Sequence, residues 1–190
     1  MHDDSPLADL NHVRGDFRPC PHGVEWRAQQ EILRVEAWGT DGIRVRSRLS
    51  GPILDDVPGA LLNRPDSTNT ATVRIGSRGA VVINGSLSAH ISSTGRVQFI
   101  RSRDHVELLA EQDAHFWWPG PRLRTANGNG YHRIEQRFCS YPDEKIFGLG
   151  QHQHGLFDQK GTVIDLVQRN SEVTIPFLIS SRGYGMLWNN

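Results

Sequence analysis

Two histidines one residue apart, His152 and His154, stand in the stretch GLGQHQHGLFDQKG (residues 148–161), among four glycines, three glutamines, an aspartate and a lysine. In an extended strand, side chains at i and i+2 project to the same side, so this pair could share one divalent ion. The flanking glycines favour a bend instead, with imidazoles hydrogen-bonding neighbouring loops, and this reading outweighs the metal one. No metal and no cofactor is therefore expected. Gly148 and Gly150 are too little for a nucleotide loop, because no third glycine falls at the required step and no helical pattern follows. No Gly-x-Ser-x-Gly elbow is present for a nucleophilic serine.

Other residue types invite weaker readings. Asp158, four after His154, could complete a cupin-like metal set, but that pattern wants a Glu there and a Gly where Ile146 stands. Phe116-Trp117-Trp118-Pro119 and the separate Trp26, Trp38 and Trp188 offer flat faces of the kind that stack on sugar rings. Taken singly, each Trp reads better as core or loop anchor. Adjacent Trp117 and Trp118 cannot both point inward from an extended backbone, so one is expected to be covered by another domain. Gln168-Arg169-Asn170-Ser171-Glu172 is a polar hinge just before the apolar run Val173-Thr174-Ile175-Pro176-Phe177. His90, His105, His132 and Glu135 supply acid–base groups, but no spacing shows that they meet.

The elements that must position these groups read as strands. Residues 42–49 alternate most cleanly, with Ile43, Val45 and Leu49 on one side and Arg44, Arg46 and Arg48 on a face expected to be wet. Similar segments are 31–38, 70–76, 80–84, 86–92, 95–101, 105–110, 131–139, 162–168, 173–180 and 183–188. Asp41-Gly42, Asn84-Gly85, Thr94-Gly95 and Arg182-Gly183 are turn signals between them. About a dozen short strands without helical periodicity predict an all-β fold, an antiparallel sandwich. Residues 50–69 and 116–130, rich in Pro and Gly, read as loops.

Length and charge bound the rest. The 190 residues predict one domain over 1–190, with 1–20 a poorly ordered leader. The 21 basic and 21 acidic residues cancel, which disfavours nucleic acid and an anionic membrane as partners. Cys20 and Cys139 lie far apart and fit a reducing compartment. The acidic start lacks an export pattern, so a cytoplasmic location is expected.

Glu144-Lys145-Ile146-Phe147-Gly148-Leu149-Gly150-Gln151, then Asp158-Gln159-Lys160-Gly161, then Ile175-Pro176-Phe177, and finally Ser180-Ser181-Arg182-Gly183-Tyr184-Gly185-Met186-Leu187-Trp188-Asn189-Asn190 occur in one order. Together they resemble the N-terminal region of a family 31 glycoside hydrolase, the α-xylosidase and α-glucosidase group. Gly42-Ile43-Arg44-Val45-Arg46 and the loop to Ala60-Leu61-Leu62 also suit that family. The resemblance implies a galactose-mutarotase-like sandwich packed on a catalytic (β/α)₈ barrel of the same polypeptide, with a carbohydrate substrate. It implies a retaining reaction on two aspartates, the nucleophile in a Trp-x-Asp-Met-Asn-Glu type motif. No such motif is present here, so no catalytic residue is assigned and the chain is expected to be an inactive fragment or module. By the same resemblance Gln168, Arg169 and Asn170 help shape the sugar pocket, and Gln151, His152, His154 and Asp158 form a domain-interface segment. A free-standing carbohydrate-binding module using Trp117, Trp118 or Trp188 is the alternative, and a mutarotase-type epimerase ranks last.

Overall fold

A computed structural model describes residues 13–55, 71–114 and 120–189. Phe116, Trp117, Trp118 and Asn190 therefore lie outside the described residues, as do residues 1–12 of the expected leader. The chain divides into two compact units, one reaching to Cys139 and the other beginning at Ser140. No helix occurs among the described residues; every regular element is a strand, and all pairings are antiparallel.

The first unit is the expected sandwich. One sheet runs in the order β1 (Asp16–Cys20), β2 (Gly23–Ala28), β3 (Glu31–Trp38), β4 (Gly42–Leu49). The other runs in the order β5 (Thr72–Gly76), β6 (Gly79–Asn84), β7 (Leu87–Ser92), β8 (Val97–Arg101), β9 (Val106–Ala110). Alternate residues point inward from both: Val24, Trp26, Leu33, Val35 and Ala37 meet Ala80, Val82, Ala89, Ile91 and Val97 in one buried cluster. Trp26 is an anchor of this core, its indole Nε1 donating to the Ser93 carbonyl at 3.0 Å. The short turns are tied across the layers as well, since Asp41 Oδ1 accepts from the Ser86 amide at 2.6 Å.

Three expectations need correction. The leader is not featureless, because its residues 16–20 form β1, paired along its whole length with β2. The loop expected over 116–130 contains β10 (Arg122–Ala126), paired with β11 (His132–Gln136) in a hairpin. The arginine face of β4 is wet only at Arg48: the Arg46 side chain is only 15 % exposed and Arg44 is half-buried, whereas Val45 on the other face is 36 % exposed. Arg46 pairs with buried Glu36 at 2.6 Å and Arg34 with buried Glu25 at 2.6 Å. Segment 52–55 lies against them, Leu54 accepting from Arg46 and Pro52 from Arg48 through their carbonyls.

The hairpin is anchored by Arg122, whose side chain is 6 % exposed. Its guanidinium donates to Glu31 Oε1 on β3 at 2.7 Å, to both oxygens of Glu111 just after β9 at 2.6 Å, and to the Gly95 carbonyl at 3.0 Å. Glu111 also accepts from the Val97 amide at 2.9 Å and from Gln136 at 3.0 Å. Burial pushes the Glu31 carboxyl up, but the Arg122 charge, the Ser47 hydroxyl and Arg124 more than offset it, and it is held below the usual carboxylate range.

Arg122→Leu strands two carboxylates and is expected to cost about 3–5 kcal/mol, read from the urea midpoint. Because the folded Glu31 pKa lies below its ordinary value of 4.5, its contribution is present above that pH and lost as pH falls through the folded value. Glu31→Gln should therefore flatten the fall of melting temperature on acidification below that point.

Candidate functional site

The second unit holds the residues assigned to the sugar pocket and to the domain-interface segment. Its sheet runs β12 (Ile146–Gln151), β13 (Val173–Ser180), β14 (Tyr184–Leu187). The expected strand over 162–168 is absent, and these residues run without regular structure. The β12–β13 register shifts at Gly148-Leu149-Gly150: Gly148 pairs with Leu178 and Gly150 with Thr174, so Leu149 alone stands opposite three residues of β13, Ile175, Pro176 and Phe177. The three β12 residues have positive φ, +97° at Gly148, +66° at Leu149 and +102° at Gly150. A Cβ at Gly148 would come within 2.7 Å of the Phe177 carbonyl, and one at Gly150 would overlap that of Val173. These glycines serve the approach of β12 to its own neighbour β13.

The polar groups of the loop that follows are turned on the loop itself. His152 Nε2 donates to the Leu149 carbonyl at 2.9 Å, and His154 Nδ1 accepts from the Leu156 amide at 3.0 Å. The two rings stack with centroids 5.7 Å apart. Since the lone pair of His154 is committed to an amide and its other nitrogen carries the proton, only His152 Nδ1 offers a free lone pair to a metal. Among the described residues no group of three His, Cys, Asp or Glu is placed to hold an ion. Asp158 Oδ1 accepts from the amides of Ile146 at 3.0 Å and Lys160 at 3.1 Å, and these donors hold its carboxyl below the ordinary range. Gln151 is the exposed last residue of β12. The loop is a self-braced structure that leaves its apolar groups outside: Leu156 is 53 % and Phe157 82 % exposed.

The hinge 168–172 is a braced corner. Gln168 donates to the Glu172 carbonyl at 2.8 Å and accepts from the Thr174 amide at 3.2 Å. Arg169 pairs with Asp165. Ser171 is held at φ +68°. Gln168 and Arg169 are thus engaged in building the corner, and Asn170 stands exposed at its tip. The acid–base set does not assemble: His132 and Glu135 are three apart on β11 and face opposite sides, while His90 on β7 lies beside Ser88 at 3.3 Å. Burial and the neighbouring His105 charge lower the His90 pKa.

One important residue was not singled out from sequence. Glu144, buried at 6 % exposure, accepts from Ser180 Oγ at 2.5 Å and from Tyr184 Oη at 2.8 Å, both on the same Oε1. Burial and this carboxylate push the Tyr184 phenol up. Beside it the Arg182 guanidinium sits 3.9 Å over the Tyr141 ring. The signal was present, since Glu144, Ser180 and Tyr184 all belong to the motifs quoted above, but spacing alone does not reveal that they meet.

Residues 29–190 match the family described as the glycosyl hydrolase 31 N-terminal galactose mutarotase-like domain. An uncharacterized family 31 glucosidase of Pseudescherichia vulneris is 33 % identical over 189 residues, covering 89 % of this chain and 35 % of that protein. Alpha-xylosidase A of Aspergillus niger is 26 % identical over 199 residues, covering 91 % of this chain and 26 % of that protein. Among solved structures, a GH31 alpha-xylosidase from a soil metagenome, complexed with xylose, superposes with a TM-score of 0.81 at 31 % identity, over 91 % of this chain and 28 % of that one. The chain spans 35 % or less of the length of each of these relatives.

Tyr184→Phe removes one of two donors from a buried carboxylate and should cost about 1.5–3 kcal/mol in denaturant unfolding. Gly150→Ala should cost about 1–3 kcal/mol or more through strained φ and overlap with β13. An unchanged urea midpoint in either variant contradicts the bonding described.

Proposed function

The chain belongs to the glycosyl hydrolase 31 N-terminal galactose mutarotase-like domain family, and we propose that it serves as the N-terminal accessory domain of a retaining α-glycosidase acting on α-linked xylosides or glucosides. The observation that supports this reading is the match over residues 29–190 together with relatives named as alpha-xylosidases. In this reading the reacting carboxylates, about 5–5.5 Å apart for a retaining mechanism, belong to a catalytic barrel of the same polypeptide.

This chain's contribution is positional. The corner braced by Gln168 and the Arg169–Asp165 pair presents Asn170 without cost to its neighbours. A carboxamide offers one acceptor and two donors at no net charge, so it suits a sugar hydroxyl and adds nothing to the charge of the reacting centre. Gln168 and Arg169 act through Asn170 and are positioning residues.

The test is hydrolysis of nitrophenyl α-xyloside and α-glucoside by the 190-residue chain and by the longer polypeptide that carries it. The longer form should turn over one of them and the short chain neither; turnover by the short chain overturns the assignment. In the longer form Asn170→Ala should raise KM about tenfold, the loss of roughly 1.4 kcal/mol of binding, with an unchanged melting temperature. Calorimetric binding of xylose by the short chain would point to a free-standing carbohydrate-binding module.

A further inference from the structure

The sequence holds three Asn-Gly pairs, Asn84-Gly85, Asn127-Gly128 and Asn129-Gly130. Such a pair carries both partners of a covalent reaction: the glycine amide nitrogen can attack Cγ of the asparagine side chain, and a residue without a Cβ hinders that approach least. The reaction needs a carboxamide free to turn, a glycine nitrogen free to attack, and water at the ring that forms. The fold meets these conditions at two of the pairs and denies them to the third.

Asn84 is locked. It is 0 % exposed at the end of β6, and its Nδ2 donates to the carbonyls of Gly39 at 2.9 Å and Gly42 at 2.8 Å, where the chain turns from β3 into β4. Gly85 is crowded as well, since a Cβ there would come within 2.3 Å of Asp41 Oδ1 and 2.7 Å of the Thr40 carbonyl. The other two pairs form the loop between β10 and β11. Asn127, Gly128, Asn129 and Gly130 are all exposed, and a Cβ on either glycine would meet nothing within 4 Å. Two hydrogen bonds close the loop: the Asn127 amide donates to the Tyr131 carbonyl at 2.9 Å, and the Tyr131 amide donates to the Gly128 carbonyl at 3.1 Å. The second makes Asn129 and Gly130 the central residues of a tight hairpin turn, with φ of +48° and +79°. Neither bond uses the amide of Gly128 or Gly130, so both attacking nitrogens stay available.

We propose that the tip of the β10–β11 hairpin is a site of spontaneous deamidation, at Asn127 and Asn129, and that the fold protects Asn84 from the same reaction. In each event the glycine nitrogen gives up its proton and bonds to Cγ, the Cγ–Nδ2 bond breaks, and the carboxamide nitrogen leaves with that proton as ammonia. Water then opens the succinimide ring. Cleavage of the nitrogen from Cγ yields aspartate; cleavage from the main-chain carbonyl carbon yields isoaspartate, whose backbone runs through Cγ and is longer by one methylene. Nothing is oxidised or reduced, and water is the one co-reactant. Each event places a new negative charge on a tip followed by His132 and Arg133, and the isoaspartate form breaks the tight turn.

Peptide mapping by mass spectrometry tests it. The 190-residue chain is held at mildly alkaline pH, folded in buffer and unfolded in guanidinium chloride, and conversion of asparagine to aspartate or isoaspartate is followed at each pair. In the folded chain the tip should convert at least about tenfold faster than Asn84, which must await an opening of the sandwich before it can react. In guanidinium the rates should converge. Equal rates at the tip and at Asn84 in the folded chain overturn the proposal, and so does a tip that converts only when the chain is unfolded. A tip preference that persists unchanged in guanidinium also overturns it, because flanking sequence and not the fold then sets the selectivity.

Discussion

The sandwich of the first unit depends on one guanidinium. Arg122 is almost wholly withdrawn from water, and a charge in that position is tolerable only if it is paired and its donors are used. Glu31 and Glu111 provide the pairing, and they come from opposite sheets: one opens β3, the other follows β9. Gly95 takes a remaining donor in the turn before β8. The hairpin β10–β11 contributes little to the core cluster, so its place is fixed by this charge cluster more than by apolar burial. Arg124 extends the cluster through Ser47 to β4, which links the edge strand of the first sheet to the same hairpin.

Much of this fold is legible in sequence because alternation is a direct consequence of strand geometry. β3, β4 and β13 have the bounds that their patterns predict, and the turn signals fall where strands reverse. The failures have physical causes. β1 and β2 are read through because Cys20-Pro21-His22-Gly23 looks like irregular chain, and the single turn there joins two strands whose residues vary in type. β10 is masked by the Pro and Gly around it and by arginines that look solvated. Residues 162–168 show the opposite error: Val163, Leu166 and Val167 alternate loosely, yet among the described residues no strand pairs with them. The arginines of β4 mislead in one further way, since alternation reports which side a residue faces and is silent on whether that side is covered.

The candidate site is legible as a region and not as a set of contacts. The glycines, histidines and Asp158 mark an unusual segment, and the structure gives the histidines, Asp158, Gly148 and Gly150 local partners that no spacing rule contains. Leu149 at positive φ between two glycines is a case in point, because the register shift is set by how β12 must meet β13 and not by the preference of a leucine. Gln168 and Arg169 look like ligand-facing residues in a polar hinge, but a corner that turns within a few residues must satisfy its own amides and carbonyls first. Asn170 is left over for the same reason.

Glu144 explains why the separate motif pieces are weak alone and specific together. From its place two residues before β12, its carboxylate takes bonds from the last residue of β13 and the first residue of β14, so one buried acceptor ties the three strands. Ser180 also accepts from the Arg182 amide, which closes the tight turn into β14. A change at any one of these positions leaves a buried carboxylate or hydroxyl short of a partner. The sheet is therefore held at one end by polar contacts that tolerate little change, while Val173, Ile175, Phe177 and Ile179 stay exposed along β13.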